Sequence, residues 1–170
     1  MAMEHKAYVF DWSDFDSNLH SLLVNALTTN HTFDLEAFIE KHLAELTDPY
    51  QGEPLTADWR DTMENRDVHE YGEYALTKFY DPTNSFGLGY EWMQLNEELP
   101  TDVVNSLLGF PIGPVANLSD PGRYGSFFQT PEGVGASLKT LQSHASPKLA
   151  SYLGLLRGCV AKGRGVYVTF

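Results

Sequence analysis

Val166-Tyr167-Val168-Thr169-Phe170 is β-branched or aromatic at every position and follows two breakers, Gly163 and Gly165. That composition after glycines reads as a strand. Far away in the chain, Ala7-Tyr8-Val9-Phe10 is a second short apolar run and reads as another strand. Between the two, the dominant signal is helical. Leu19, Leu22, Leu23, Ala26 and Leu27 fall at i, i+3, i+4, i+7 and i+8, one helix face, with Asp14 or Asp16 as its cap. That helix ends in the polar stretch around Asn30. Leu35, Phe38, Ile39, Leu43 and Leu46 make a second stripe, started by Asp34 and Glu36. Further helices are predicted near Trp59 and Met63, from Val68 to about Tyr80, and from Thr101 to Leu108. Two more start at Thr130-Pro131 and Ser146-Pro147, where proline fits the first helical position because its missing N–H is not needed there. Ser126–Gln129 reads as a short strand, and Gly87–Trp92 leans to strand within the aromatic, Gly-interrupted segment 86–92. The expected fold is therefore α+β: a single helix-rich globular domain over residues 1–170, with short strands at both termini. Pairing of the first and last strands would bring the termini together, but no pattern in the sequence specifies it.

The chain has 170 residues, 42% hydrophobic and 13% aromatic, which is globular composition in an ordinary domain length. One cysteine excludes an internal disulfide and a structural Cys cluster. No apolar run approaches the roughly 20 residues that span a bilayer, and residues 1–10 show no signal-peptide h-region. A soluble cytoplasmic protein that does not enter membranes is expected.

Charge is unevenly distributed. Residues 1–100 carry 20 acids and 5 bases, whereas residues 101–170 carry 3 acids and 6 bases. The formal net charge is −12. That sum argues against nucleic-acid binding, which depends on cations displacing condensed counterions. The asymmetry has two readings. The halves attract each other within one fold, or an acidic face awaits a basic partner.

Motifs for common chemistries are missing. There is no Walker loop and no Gly-x-Ser-x-Gly elbow. Gly133-Val134-Gly135 at a helix start lacks the rest of a nucleotide fingerprint. Cys159 sits beside Leu156 and Val160 and reads as a core residue. His69 and Glu73 are four apart, but no further metal ligands are marked, so a solvated face is the simpler reading. His42, inside an apolar stripe, reads as bonded to a core carbonyl. No cofactor or metal is expected. The strings Asp48–Leu55 and Gly87–Trp92 look distinctive, but no mechanism attaches to them.

The densest acidic stretch is 58–73. Asp58, Asp61 and Glu64 are spaced by three, and Asp67, Glu70 and Glu73 repeat the spacing, as ridges on a helix would. With Trp59, Tyr71 and Tyr74 beside them, Asp61, Glu64, Asp67, Glu70 and Glu73 are the expected contact surface of a non-catalytic, inhibitory, immunity-like protein that binds a basic partner. The comparison with immunity proteins is one of function only. The alternative is a small-ligand domain or enzyme, with a pocket between segments 86–92 and 110–125. There Arg123, next to Tyr124 in a Pro/Gly-rich loop, would hold an anion, and Glu91 or His69 would act as base. A third reading is a homodimer in which Val166–Phe170 pairs across a two-fold axis.

Overall fold

The computed structural model describes residues 3–119, 125–144 and 146–170. Three strands, β1 (Lys6–Phe10), β2 (Ser126–Gln129) and β3 (Gly165–Thr169), form one antiparallel sheet in the order β1-β3-β2. The stretch 166–169 is thus the central strand. Its register puts Tyr8, Tyr167 and Phe128 in one row across the sheet, and Ala7, Val168 and Phe127 in the next. Successive side chains of a strand point to opposite faces, so the two rows open two separate cores.

The Tyr8–Tyr167–Phe128 face also carries Phe10 and is covered by α1 (Trp12–Asn18), α2 (His20–Thr29), α3 (Phe33–Lys41) and α4 (Val68–Leu76). The Ala7–Val168 face also carries Val166 and is covered by α5 (Trp92–Glu98), α6 (Thr101–Leu108), α7 (Pro131–Gln142) and α8 (Ala150–Lys162). Helices on both faces explain why β3 is buried along its whole length. They also explain its near-continuous apolar sequence, since neither face has water to meet.

The α+β expectation holds, and the strands read at 7–10, 126–129 and 166–170 form. Several local expectations change. The first helix starts at Trp12, capped by Asp11 rather than Asp14 or Asp16, and breaks at Leu19 before α2. Asn30 ends α2 in the left-handed conformation, as a short polar side chain tolerates. The second stripe is helical only to Lys41, although Leu46 is still buried. Segment 86–92 is not a strand. It makes one isolated bridge, His5 to Gly89, and then enters α5 at Trp92.

That bridge has a structural consequence. A three-stranded sheet leaves two edges with free N–H and C=O groups. On the β1 side, Phe86 N–H donates to the Ala7 carbonyl at 2.8 Å, and His5 and Gly89 exchange two 3.0 Å bonds. On the β2 side, Phe110 and Phe128 exchange bonds of 2.9 and 2.8 Å. Both edges are therefore covered by short straps. Each strap depends on glycine. A Cβ on Gly87 would lie 2.0 Å from the His5 carbonyl oxygen, and one on Gly109 would lie 2.3 Å from that of Phe128.

His5 fastens the first strap from the side. Its ring is buried. Nδ1 accepts from Leu88 N–H at 3.1 Å, so Nε2 carries the proton and donates to the Leu107 carbonyl at 2.8 Å. Burial lowers its pKa to about 4, which keeps the ring neutral in this role.

The strap geometry predicts opposite outcomes for two Gly→Ala substitutions. Gly87→Ala forces strap and strand apart and costs at least about 2 kcal/mol, a fall in Tm of about 4–8 °C for a chain of this size. Gly135→Ala on α7 meets open space and raises stability by about 0.5–1 kcal/mol through helix propensity. Thermal melts of the two variants check this. Equal Tm values would show that the strap tolerates a side chain.

Candidate functional site

The segment 58–73 is not one helix. Residues 59–62 form a 3₁₀ turn, 63–67 is a loop, and only α4 from Val68 continues as helix. The repeated spacing of three therefore does not build a ridge, and the expected contact surface divides. Asp61, Glu64 and Asp67 are exposed. Trp59, Glu70, Tyr71, Glu73 and Tyr74 are buried. The reason is that α4 is enclosed almost all round by α2, α3, the sheet and the loops 46–66, so its tyrosines serve the core. Trp59 is anchored by its Nε1–H to Glu40 at 3.1 Å and stacked under Arg60. Arg123 and Tyr124 lie outside the described residues.

Glu70 has a structural task. Asp67 caps α4 by accepting from Glu70 N–H at 2.9 Å. The Glu70 carboxylate reaches back to accept from the N–H groups of Glu64, Asn65 and Arg66 at 2.9, 2.8 and 2.6 Å. This is an enlarged capping box, and it holds Arg66 at φ +53. The signal Asp67-x-x-Glu70 was present in the sequence but hidden by the charge pattern.

Glu73, one turn further, is different. Its carboxyl is nine-tenths buried and accepts one bond, from the Tyr50 hydroxyl at 2.6 Å through Oε2. Oε1 has no partner among the described residues. Burial, which disfavours the charged form, raises its pKa to about 7. The Tyr50 bond and the more distant Lys6 oppose that rise, while Glu70 and Asp48 add to it.

Tyr50 comes from the string 48–55, which folds as a tied loop. Asp48 Oδ1 accepts from Tyr50 and Gln51 N–H at 2.7 and 3.0 Å, and Asp48 N–H donates to the Glu53 carbonyl at 2.8 Å. Gly52 takes φ +72 and packs onto Thr83 so closely that a Cβ would meet its methyl at 2.3 Å. Thr83 belongs to a second such turn, held by Asp81. The two loops wall a cavity of about 260 Å³ whose floor includes Tyr8, Glu73 and Tyr80, with Lys6 and Thr169 from the sheet at its side. Tyr8 and Tyr80 rings lie 4.7 Å apart, and Tyr80 lies 4.9 Å from Tyr167. Burial raises the Tyr8 phenol to about 12 and that of Tyr80 well above its usual value, so these hydroxyls stay protonated. On the other side of Tyr50, Asp48, Thr62, Glu64, Asn65, Glu70 and Tyr74 surround a wider hollow of about 560 Å³. Tyr50 is shared by both, with an exposed ring and its hydroxyl turned in on Glu73.

The described residues expected around a pocket between 86–92 and 110–125 are spread over two edges of the sheet. Segment 86–89 covers the β1 edge and Phe110 the β2 edge. In the sheet the three strands β1, β3 and β2 separate them. Glu91 and His69 do not meet. His69 instead bonds Asn117 Oδ1 at 2.8 Å, and Asn117 donates on to the Leu27 carbonyl. Nor can Val166–Phe170 pair across a two-fold axis, because β1 and β2 already occupy both edges of β3. His42 bonds the Glu45 carboxylate rather than a core carbonyl. Cys159 is buried, and burial pushes its thiol up to about 11. Among the described residues no cluster of three His, Cys, Asp or Glu side chains has metal-binding geometry, and no helix is long and apolar enough to cross a membrane. No protein-family model, curated protein or solved structure matches the chain.

Glu73 gives a test with a definite sign. The folded pKa lies above the unfolded value of 4.5, so the native state binds the extra proton between pH 4.5 and 7. Stability contributed by the protonated form is complete below pH 4.5 and is lost as pH rises through 7. The loss amounts to about 3 kcal/mol. Glu73→Gln keeps an acceptor for Tyr50 and cannot ionise. Urea unfolding will show the variant more stable than the parent by up to about 3 kcal/mol at pH 8, and nearly equal to it at pH 5. Parallel pH profiles would contradict the assignment.

Proposed function

We propose that this chain is a non-catalytic acidic protein that binds and neutralises a basic partner protein, as immunity proteins do with toxins. The observation that carries the reading is where the charge lies. The acid-rich part of the chain supplies α1–α4 on one face of the sheet and α5, with Glu97 and Glu98, on the other, where Lys139, Arg157 and Lys162 sit on α7 and α8. The two do not neutralise each other. Among the described residues, one ion pair joins residues 1–100 to residues 101–170, Arg164 to Asp11 at 2.5 Å. The acidic face therefore keeps its field for a partner, and such a field raises the rate and selectivity of encounter.

On that face the cleft around Tyr50 is the favoured contact. It offers a rigid, exposed aromatic ring between two acidic hollows, the combination found at binding hot spots. Glu64 and Tyr74 line the wider hollow, and Asp61 and Asp67, in the same segment as Glu64, add exposed negative charge, while Trp59 and Tyr71 are buried in the core.

Capture from a lysate of the source organism tests this. Partner retained at about 50 mM salt should elute by about 0.5 M, because screening shortens the Debye length severalfold. The triple variant Asp61→Asn, Glu64→Gln, Asp67→Asn should keep its fold, since Asn still caps α4, and should bind the same partner at least tenfold more weakly. Retention that ignores both salt and these substitutions would rule the reading out.

A further inference from the structure

The buried polar side chains of this protein are, with few exceptions, satisfied from within. His5 has two partners and Glu70 three. Gln129 is held by Ser106, Ser137 and Tyr152. Thr47 Oγ1 is the one side-chain atom among the described residues that is sealed away with no partner. Two other groups have no protein partner but belong to residues that line the open 260 Å³ cavity: Oε1 of Glu73 and the hydroxyl of Tyr80, on side chains nine-tenths buried. Two such groups at one cavity describe a seat whose occupant comes from outside.

The occupant's chemistry follows from what surrounds the seat. Glu73 offers a carboxylate oxygen. Tyr8, Tyr50 and Tyr80 offer ring faces, whose quadrupoles attract cations. Glu4 lies at the rim, and Asp48 and Glu70 add negative field from the loop and from the same helix. Lys6 is the cation of β1 that lines the cavity, and its Nζ pairs with Glu4 at 3.8 Å, not with Glu73. Tyr167, facing Glu73 from β3, remains a neutral phenol because burial raises its pKa. The volume lies below the roughly 300–1,000 Å³ of sites that enclose a whole drug-sized ligand, so it suits a head group.

We propose that this cavity binds an organic monocation, an ammonium or guanidinium head, with its N–H groups on Glu73 Oε1 and the Tyr80 hydroxyl and its charge against the Tyr8 and Tyr50 rings. The proposal rests on the reading of this face as a seat for positive charge and names the group that enters it. Two sources supply such a head: a free small amine or guanidine, and a lysine or arginine side chain of a basic protein. Binding requires the Glu73 carboxylate, so it releases a proton near neutrality.

The test is an NMR titration of the whole protein with methylguanidinium, with methylurea as the uncharged match, at pH 6 and pH 8. The expected result is saturable shifts at residues near Glu73 and Tyr80 for the cation alone, with a Kd about tenfold tighter at pH 8, where Glu73 is ionised. Glu73→Gln, which stays folded, should abolish them, and Tyr80→Phe should weaken them severalfold. Acetyl-Gly-Arg-Gly-amide then separates the sources. Tighter binding than methylguanidinium marks a protein side chain, and binding no tighter marks a free small cation. Both outcomes support a cation seat. Equal shifts with methylurea, no saturable shift, or binding unchanged in Glu73→Gln would overturn it. Salt-sensitive capture that persists in Glu73→Gln, with no cation binding in the parent, would overturn this proposal alone and leave the acidic-partner reading in place.

Discussion

Everything in this fold is arranged around a strand that meets no water. β3 is hydrogen-bonded on both edges and packed on both faces. Tyr167 and its row face one core, and Val166 and Val168 face the other. Each fully buried side chain of this kind stabilises by about 1.5–3 kcal/mol, but only while both helical layers stay in place. The constraint then passes outward. With β3 in the middle, β1 and β2 become edges, and edges with unpaired backbone groups need covering. The straps at 86–89 and 110 do this, and the close approach of Gly87 and Gly109 is what lets backbone meet backbone.

The same enclosure creates the chemistry of α4. A helix buried on nearly all sides is a poor place for carboxylates, yet α4 carries two, three residues apart. Glu70 is compensated by three backbone N–H donors and is a cap. Glu73 has one phenol and an empty side. The difference arises because the loop 63–67 turns its amides toward Glu70, while the loop 48–54 stands off from Glu73 and leaves a cavity. Tied turns at Asp48 and Asp81 supply Pro49, Tyr50 and Pro82 to the wall of that cavity. Burial of Glu73 without full compensation costs stability at this one residue, a local departure of the kind expected of a candidate site.

Much of this was legible in the sequence. Strands at 7–10, 126–129 and 166–170 showed in their β-branched and aromatic runs, and the starts at Thr130-Pro131 and Ser146-Pro147 and the stop at Asn30 showed in their capping chemistry. The candidate site was less legible. Spacing of three over 58–73 resembled a helical ridge because acids in a 3₁₀ turn, a loop and a helix happened to keep one interval. Tyr50 and the string 48–55 were visible as distinctive, but their partner Glu73 is 23 residues away.

What the sequence determined by itself is local: which segments favour helix or strand, where they stop, and that one part of the chain is acidic and the other mildly basic. These depend on neighbours within a few residues, so a linear reading recovers them. The tertiary structure decided the rest. It placed β3 in the middle of the sheet, set α1–α4 on one face and α5–α8 on the other, and turned Trp59, Glu70, Tyr71, Glu73 and Tyr74 inward while leaving Asp61, Glu64 and Asp67 outside. It also brought Tyr8, Tyr50, Glu73 and Tyr80 around one cavity. Those outcomes depend on which surfaces are covered by parts of the chain distant in sequence, and burial, unlike propensity, exists only once the layers have closed.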